Sequence, residues 1–275
     1  MSSLFTIVDT TDSIATVVST ANTKYFIKDT YDGTGDAGPI TISVNNVHIE
    51  LDSGGAIGQN MTLSGDDIHL ELFPASTTAN ITSTGTGNFL EIHNGAVTFD
   101  IVQETAGSAL TVKGHGFGAE ASQVNFKRPD CLAEGLSVWS GGSDSVLNNS
   151  IGTRCTFKYL NVIDAGDHGF QIVGNDTILF GNTVQDSSNS GLHLSAQRLV
   201  CVANHVLTSD GDALELTVSA DNCVVHGNYL NDGATDPINI NAGATKNVLT
   251  ANRMVDQASA LGGTSTTDSD NDKTA

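Results

Sequence analysis

Short segments in which apolar and polar residues alternate recur along most of the chain. Each contains two apolar residues separated by one polar residue, and nine such pairs follow one another between residues 49 and 240. The pairs are Ile49/Leu51, Leu70/Leu72, Leu90/Ile92, Leu110/Val112, Leu136/Val138, Phe170/Ile172, Leu192/Leu194, Leu214/Leu216 and Ile238/Ile240. A period of two is typical of a β-strand with one buried face. The pattern therefore predicts nine short strands whose apolar side chains point inward.

The spacing of these pairs predicts a solenoid. Successive pairs are 21, 20, 20, 26, 34, 22, 22 and 24 residues apart. A repeat of this length without helical periodicity is typical of stacked coils, with one repeat in each coil. The two long steps, which end at Leu136 and Phe170, predict inserted loops near residues 113–128 and 140–154, and such loops often carry function.

A second repeat, built on asparagine, supports stacked coils in the C-terminal half. Asn182, Asn204, Asn228 and Asn252 are 22, 24 and 24 residues apart, and each follows Gly or Ala. Stacked asparagines can hydrogen-bond along the coil axis and satisfy backbone groups in the turns. We therefore expect these four residues to be structural.

The predicted fold is all-β: a single-stranded right-handed parallel β-helix of about nine coils with an N-terminal cap. Residues 1–38 do not share the repeat, and we expect them to cap the first coil or to serve as an attachment segment. Residues 39–256 are expected to form the β-helix. Residues 257–275 lose the apolar rhythm and are expected to form a polar, acidic and mobile tail.

Charge and composition exclude several classes of partner. The chain has 275 residues with 31 Asp and Glu against 11 Lys and Arg, a formal charge of −20. Nucleic acids and anionic membranes bind clustered cations, so neither is expected as a partner. No run approaches the roughly 20 apolar residues that cross a bilayer.

The start of the chain and its cysteines indicate folding in a reducing compartment. The first residues lack the cationic start and apolar run of a signal peptide, which predicts that the protein folds in the cytoplasm in which it is made. The four cysteines show no Cys-x-x-Cys spacing. Cys201 and Cys223 lie in apolar runs and are expected to be buried thiols.

The polar residues inside the pairs predict an outward row of side chains, one from each coil. Glu50, Glu71 and Glu91 would form a carboxylate column with His48, His69 and Phe89 beside it. Oxygen ligands on a rigid sheet suit Ca²⁺. The alternative is a solvated acidic face with no metal and no cofactor.

A second candidate site lies in the turns. Asp210 and Asp212, with Asp186, Glu215 and His193 on neighbouring coils, form the densest group of carboxylates. Glycoside hydrolysis needs two carboxyl groups about 5 to 10 Å apart, and Asp186, Asp210 and Asp212 are the expected pairing if the protein is an enzyme. The alternative is that Asp and Gly occur here because tight turns favour them, so that there are no catalytic residues.

The repeats of residues 157–256 resemble those of the pectate-lyase-like superfamily of right-handed parallel β-helices. The resemblance lies in the recurring Gly-Asn-x-apolar-x-Asp segments followed by Gly and an apolar alternation. That superfamily includes polysaccharide lyases, polygalacturonase-like hydrolases, carbohydrate epimerases and the tailspikes and fibres of phages. Gly65-Asp66-Asp67 and Gly114-His115-Gly116 are similar to fragments of the polygalacturonase-like family, whose Asn-Thr-Asp and Arg-Ile-Lys motifs are absent at the matching positions. The resemblance implies the fold rather than an activity.

Three functions remain open from the sequence. The first is a structural protein of a virus particle, a phage tail fibre, spike or capsid decoration, made in the host cytoplasm and not catalytic. It would assemble as a homo-oligomer, a trimer, or with other virion proteins, and would contact a cell-surface glycan; Phe89 and Trp139 are expected at an interface. The second is an extracellular or virion-borne glycoside hydrolase. The third is a module that binds a glycan or calcium.

Overall fold

A computed structural model describes most of the chain. The described residues are 5–8, 12–27, 36, 38–52, 57–73, 80–93, 100–103, 109–115, 120–139, 144–148, 151–231, 235–255, 267–269 and 272–274. They fall into two compact units, residues 1–137 (unit 1) and 138–275 (unit 2). Nearly all regular structure is β. The helix α1 (Ile14–Val17) is four residues long, and no described helix is long and apolar enough to span a bilayer.

Unit 1 contains strands of three parallel sheets. Its first sheet runs in the order β1 (Phe5–Val8), β2 (Lys24–Ile27), β4 (His48–Leu51), β6 (His69–Leu72), β8 (Phe89–His93), β10 (Thr111–His115) and β13 (Leu132–Glu134). Its second sheet contains β3 (Ile40–Ile42), β5 (Met61–Leu63), β7 (Ile81–Ser83), β9 (Asp100–Gln103) and β12 (Gln123–Phe126). The short strands β11 (Glu120–Ala121) and β14 (Ser137–Trp139) are neighbours in a third sheet.

Unit 2 contains three parallel sheets. The first contains β16 (Thr156–Lys158), β19 (Ile178–Phe180), β22 (Val200–Val202), β25 (Val224–His226), β28 (Val248–Thr250) and β30 (Thr267–Ser269). The second contains β15 (Val146–Asn148), β18 (Phe170–Ile172), β21 (Leu192–Leu194), β24 (Leu214–Leu216) and β27 (Ile238–Ile240). The third contains β17 (Asn161–Ala165), β20 (Thr183–Ser187), β23 (His205–Val206), β26 (Tyr229–Asn231), β29 (Arg253–Val255) and β31 (Asp272–Thr274).

The core is made of aliphatic side chains stacked from one coil to the next. Ile49, Leu70 and Leu90 are partners in the strand register, and all three are fully buried. Each such side chain stabilises the fold by about 1.5–3 kcal/mol relative to its exposure to water. The predicted all-β parallel solenoid of about nine turns is therefore confirmed.

The nine predicted strands form, but they lie in different sheets, so the prediction of one outward row with a side chain from each coil is wrong. The first four apolar pairs belong to the first sheet of unit 1, Leu136/Val138 to β14, and the last four pairs to the second sheet of unit 2. Strands of different sheets carry the same alternation because each has one face toward the core. Periodicity alone therefore does not distinguish the sides of a coil.

The two long steps arise from this change of sheet rather than from inserted loops. Residues 113–128 contain β12, which pairs with β9 in the second sheet of unit 1. Residues 140–154 contain β15, which pairs with β18. Residues 116–119, 140–143 and 149–150 lie outside the described part of the chain. The predicted insertions are therefore ordinary coil segments wherever the structure describes them.

The two chain ends contain paired strands. In residues 1–38, β1 pairs with β2, and β2 pairs with β4. In residues 257–275, β30 pairs with β28, and β31 pairs with β29. The capping role of residues 1–38, and the division of the chain at residues 38 and 256, stay predictions.

The asparagine ladder predicted from the sequence is present at one corner of unit 2. The Oδ1 atom of Asn204 accepts hydrogen bonds from the backbone N–H and the Nδ2 of Asn182, at 3.0 and 2.9 Å. Asn204 Nδ2 donates to the carbonyl of Leu179. The pairs Asn204–Asn228 and Asn228–Asn252 repeat the arrangement on the next two coils. All four asparagines are buried, so their structural role is confirmed.

The small residue before each ladder asparagine is explained by the backbone. Gly181, Ala203, Gly227 and Ala251 all have φ between 55° and 63°, in the left-handed region that favours glycine. At Gly181, an added Cβ would lie 2.9 Å from the ring of Tyr159 on the preceding coil. Small residues therefore recur because the corner needs both this conformation and the space.

Candidate functional site

Histidine and glutamate side chains line the outer surface of the first sheet of unit 1. We call His48, His69, Glu71, Glu91, His93 and His115 the His–Glu face. The register places Glu50 opposite Glu71 and Glu71 opposite Glu91 on consecutive strands. The predicted carboxylate column is therefore confirmed, because parallel strands in register stack the same position of each coil.

Each central glutamate of this face contacts two histidines. The Oε2 of Glu71 lies 3.0 Å from His48 Nε2, and its Oε1 lies 3.1 Å from His93 Nε2. The Oε2 of Glu91 lies 2.7 Å from His69 Nε2, and its Oε1 lies 3.0 Å from His115 Nε2. Four ring nitrogens therefore converge on two carboxylates.

The imidazole rings stack on one another in two columns. The rings of His48 and His69 have centroids 4.2 Å apart and lie within 11° of parallel, and His69 stacks in turn on Phe89. In the second column, His93 stacks on His115, with centroids 4.7 Å apart. This stacking fixes the ring planes, so each Nε2 points toward the glutamate column.

Two residues of the face, His48 and Glu91, have shifted pKa values. Burial lowers the pKa of His48 despite its hydrogen bond to Glu71. For Glu91, burial alone would raise the pKa, but hydrogen bonds from His115 and His69 outweigh it and lower the pKa. Ionised carboxylates and neutral imidazoles are the forms that bind metals.

A shallow pocket opens at one end of this face. Its volume is about 390 Å³, and its lining includes Lys24, Asn46, His48, Asp67 and His69. Lys24 Nζ lies 2.6 Å from Glu50 Oε2, so the first carboxylate of the predicted column has a cationic partner instead of a histidine. The predicted calcium ligands thus do not share one environment, since only Glu71 and Glu91 belong to the His–Glu face.

A second polar cluster lies in unit 2 and contains two of the residues predicted as catalytic. His193 Nδ1 lies 2.8 Å from Glu215 Oε2, and this oxygen also accepts a hydrogen bond from Ser190. Asn241 donates to the other carboxylate oxygen at 2.9 Å. Burial would raise the pKa of Glu215, but the hydrogen bonds from Asn241 and His193 lower it.

His168 completes this second cluster. It is only 7% exposed, and its ring centroid lies 4.4 Å from that of His193. Its Nδ1–H donates to Asp144 at 2.8 Å, and Asp167 lies 3.4 Å away. Burial would lower the pKa of His168, but the hydrogen bond to Asp144 and the charge of Asp167 raise it.

Asp212 is the third predicted catalytic residue in this region. It is 7% exposed, its Oδ2 accepts from Asn239 at 2.8 Å, and its buried Oδ1 has no hydrogen-bond partner. Burial raises the pKa of Asp212, and the neighbouring charges of Glu215 and Asp236 raise it further. Asp212 and Glu215 are therefore neighbouring carboxyl groups whose pKa values are shifted in opposite directions.

The other two predicted catalytic residues are exposed turn residues. Asp186 has a left-handed backbone, with φ of 57°, and its Oδ1 accepts from the hydroxyl of Thr208 at 2.6 Å. Asp210 is exposed, and its backbone N–H donates to the carbonyl of Ser187. These contacts fit the turn role that the sequence left open as the alternative for Asp186 and Asp210.

The sequence prediction missed Asp144, Ser190 and Asn241, which belong to this cluster. Asp144 lies in a segment predicted to be an inserted loop. It is 24 residues before His168, and Asn241 is 26 residues after Glu215, so each partner is about one coil away. A search for polar residues one coil length before or after each candidate residue would have found Asp144 and Asn241.

A row of exposed apolar side chains lies on the first sheet of unit 2. Ile178, Val200, Val224 and Val248 are partners in the register of β19, β22, β25 and β28, and they are 40, 36, 39 and 39% exposed. Phe180, on the same side of β19, is 37% exposed. We call these five residues the apolar face. The outward positions of these four described strands include no carboxylate.

The two aromatic residues expected at an interface differ in exposure. Trp139, on β14, is 45% exposed. Phe89 is only half-exposed, because His69 stacks on its ring and Lys113 Nζ lies 5.6 Å from the ring centroid. Phe89 therefore forms part of the stack beside the His–Glu face.

The cysteines lie in the core. All four are buried, and burial raises the pKa of Cys201 to about 12. Thiols with such high pKa values are poor nucleophiles at neutral pH, so Cys201 is a packing residue rather than a reactive group.

No family model matches this chain, and a search of curated proteins finds no match either.

Proposed function

We propose that this protein is a structural β-solenoid of a virus particle, a fibre, spike or capsid-decoration protein, that assembles with further copies of itself through the apolar face. The observation that carries the assembly role is the row of β-branched residues on four consecutive coils of unit 2. The virus-particle setting rests on the resemblance of the repeats to those of phage tailspikes and fibres. Contact with a cell-surface glycan and with other virion proteins is part of the same proposal.

The apolar face has the composition of a protein interface. Contiguous apolar patches on a surface mark sites of association, and the centres of interfaces are depleted of charged residues. The face lies on a parallel sheet, and its residues occupy matching positions of successive coils. Burying one such side chain stabilises a complex by roughly 1 kcal/mol, given its present partial exposure.

The acidic charge of the chain favours a second copy of the same chain as the partner at the apolar face. At −20, two copies repel each other over most of their surface. The apolar face lacks carboxylates, so it is a place where identical acidic chains can approach. We propose closed symmetry with three copies, in which identical faces around one axis bury the row on every copy.

The test is the solution mass of the full chain across salt concentrations. The proposal predicts a mass near three times 28.5 kDa. The assembly should strengthen as salt rises, because salt screens the repulsion between acidic chains while the apolar contacts persist. A monomer at all protein and salt concentrations would contradict self-assembly.

Val224→Glu tests the role of the apolar face directly. It places a charge at the centre of the row and should dissociate the assembly to a monomer of 28.5 kDa. The matched control is Val218→Glu, the same substitution at a residue of unit 2 that is 63% exposed and lies outside the face. The control should assemble like the unaltered protein. Fixed stoichiometry in purified virus particles tests the setting separately.

The second candidate function is glycoside hydrolysis, which one observation favours. Asp212 and Glu215 are neighbouring carboxyl groups with pKa values shifted up and down, respectively. This is the arrangement in which one carboxyl group acts as an acid and another as a base or nucleophile. On this proposal Asp212 is the acid, Glu215 is the ionised partner, and His193 positions Glu215.

Sugar release separates the two candidates. A hydrolase would release reducing ends from one of a panel of neutral and acidic glycans, and Asp212→Asn would abolish the release. Asp186→Asn is the control, since Asp186 is an exposed turn residue. If no glycan releases reducing ends and the protein still assembles, the hydrolase function is contradicted and only the structural function is supported.

A further inference from the structure

We propose that the His–Glu face of unit 1 binds two divalent transition-metal ions of the Zn²⁺ class, one on His48, His69 and Glu71 and one on Glu71, Glu91 and His93. The Glu71 carboxylate is shared between the two ions. This site is independent of the proposed assembly, since it uses other residues on another unit.

The ligand atoms are already close enough together. In each of the two groups, one ligand atom from each residue lies within 4.8 Å of the others. Two ligands on one tetrahedral Zn²⁺ ion, each about 2.1 Å from the metal, lie about 3.4 Å apart. The Glu71–His48 and Glu71–His93 contacts, at 3.0 and 3.1 Å, are near this spacing. Small side-chain shifts would admit the ions.

One ring nitrogen lacks the hydrogen bond that its surroundings should provide. His93 Nε2 is buried, and although it lies 3.1 Å from Glu71 Oε1, it makes no hydrogen bond. Buried polar atoms nearly always have a partner, and an exception calls for an explanation. A metal ion between His93 Nε2 and the Glu71 carboxylate would supply that partner.

The donor set selects the class of metal. Ca²⁺ and Mg²⁺ take oxygen ligands almost exclusively, whereas imidazole nitrogen with carboxylate suits Zn²⁺, Cu²⁺ and Ni²⁺. Each proposed site has three protein ligands, which leaves a fourth position for water. The acidic chain, at −20, also concentrates cations near its surface.

The rigidity of the sheet favours binding. The ligands come from β4, β6 and β8, which pair in register, and ring stacking holds His48 against His69. Such a site needs little ordering when the metal arrives. Because each ion joins neighbouring strands, its binding should stabilise the folded chain against heating.

The second polar cluster of unit 2, which contains His168, His193 and Glu215 (the His168 cluster), is the competing site. It is less suited to binding a metal ion. His168, His193 and Glu215 also lie close enough together. There, however, His193 Nε2 contacts Ser195, and both Glu215 oxygens accept hydrogen bonds from Ser190 and Asn241. A metal would have to displace these hydroxyl and amide partners, whereas in the His–Glu face the hydrogen bonds that a metal would replace run between the histidines and glutamates themselves. The test must therefore distinguish the two places.

The experiment is equilibrium dialysis of chelator-treated full-length protein against Zn²⁺, with Ca²⁺ as a comparison. The proposal predicts two Zn²⁺ ions per chain, a rise in Tm with Zn²⁺, and no matching rise with Ca²⁺. Glu71→Gln should remove both ions, because Glu71 belongs to both sites, and should weaken Zn²⁺ affinity by more than about 100-fold. His48→Gln and His93→Gln should each remove one.

Two further variants decide whether the ions bind elsewhere. His226→Gln alters an exposed histidine of unit 2 and should leave both ions bound. His193→Gln should also leave them bound. Zn²⁺ binding that survives Glu71→Gln, or that disappears in His193→Gln, would overturn the proposal. Ca²⁺ binding with the same stoichiometry and the same rise in Tm as Zn²⁺ would also overturn it. Circular dichroism of each variant confirms that it is folded.

Discussion

The first sheets of the two units have the same architecture and opposite surfaces. In both, parallel strands in register bury one row of aliphatic side chains and expose another row. In unit 1 the exposed row carries histidine and glutamate, and the side chains pair and stack. In unit 2 it carries Ile178, Val200, Val224 and Val248, and it is open to solvent. The inward residues maintain the fold, so the outward residues are free to differ.

This contrast shows how a parallel solenoid builds a functional surface. A single outward position is repeated at every coil, about 4.8 Å from the last, so a recurring residue type becomes a column. A column of titratable residues gives converging ligands, as in the His–Glu face. A column of β-branched residues gives a continuous apolar surface, as in unit 2. Metal binding and assembly are thus proposed on different units for the same geometric reason.

The interiors of the two units also differ at their corners. Unit 2 has four stacked asparagines that hydrogen-bond to one another. In the described part of unit 1, Asn88 bonds to the backbone of Ile68 and Leu63 and to the hydroxyl of Ser83. A ladder joins successive coils through side chains, whereas Asn88 supports one corner.

The largest expected effect is that of Asn204→Ala. It leaves the Asn182 N–H and the Leu179 carbonyl without their buried partner and breaks the ladder on both sides. We expect a loss of about 3 kcal/mol in the free energy of unfolding, or roughly 10 °C in Tm. Asn88→Ala should cost about 2 kcal/mol, because it removes a single corner. Thermal and urea unfolding measure both.

A double-mutant cycle sharpens this comparison. Asn204→Ala combined with Asn228→Ala should cost less than the sum of the two, with a coupling of about 1 kcal/mol, because the two side chains share hydrogen bonds. Asn204→Ala combined with Asn88→Ala should be additive. Additive effects within the ladder would show that its asparagines act separately.

A smaller effect is expected from the glycines that precede the ladder asparagines. Gly181→Ala should cost about 2 kcal/mol, from the left-handed backbone and from contact with the Tyr159 ring. Gly227→Ala has the same φ of 63° but no neighbour within 4 Å of the added Cβ, so it should cost about 1 kcal/mol. Equal losses in Tm would mean that the ring moves aside at no cost.

The smallest expected effect is that of Asp212→Asn, and it depends on pH. Because burial raises the pKa of Asp212, the folded chain holds this proton more tightly than the unfolded chain does. Its contribution to stability is present below the unfolded pKa, about 3.9, and is lost as pH rises through the folded pKa. We therefore expect Asp212→Asn to stabilise by about 1 kcal/mol at pH 7 and by nothing near pH 3.

Melting curves at the two pH values check this prediction. Asp210→Asn, at an exposed position two residues away, is the control and should change Tm little at either pH. A Tm gain for Asp212→Asn that is the same at pH 3 and pH 7 would contradict a role for its ionisation.

The candidate sites could be predicted from the sequence only in part. Glu71 and Glu91 were placed in one column because alternation and a spacing of 20 residues require it. The pairing of Glu71 with His93 could not be predicted, because it depends on how the two side chains extend toward each other from neighbouring strands. Asp186, Asp210 and Asp212 looked alike as turn carboxylates, yet only Asp212 is buried. Burial depends on how a turn packs, which neighbouring residues along the chain do not specify.

The sequence by itself determined the coil. Its alternation gives the strands, its period gives the length of each repeat, and the small residue before Asn182 and its successors gives the corner, because these are local demands of the backbone. Only the tertiary structure decided which sheet each strand joins, since all the sheets bury the same apolar pattern. The tertiary structure thereby places the His–Glu face and the His168 cluster on different sheets. Contacts one coil apart join residues more than 20 positions away in the chain, and it is these contacts that make the sites.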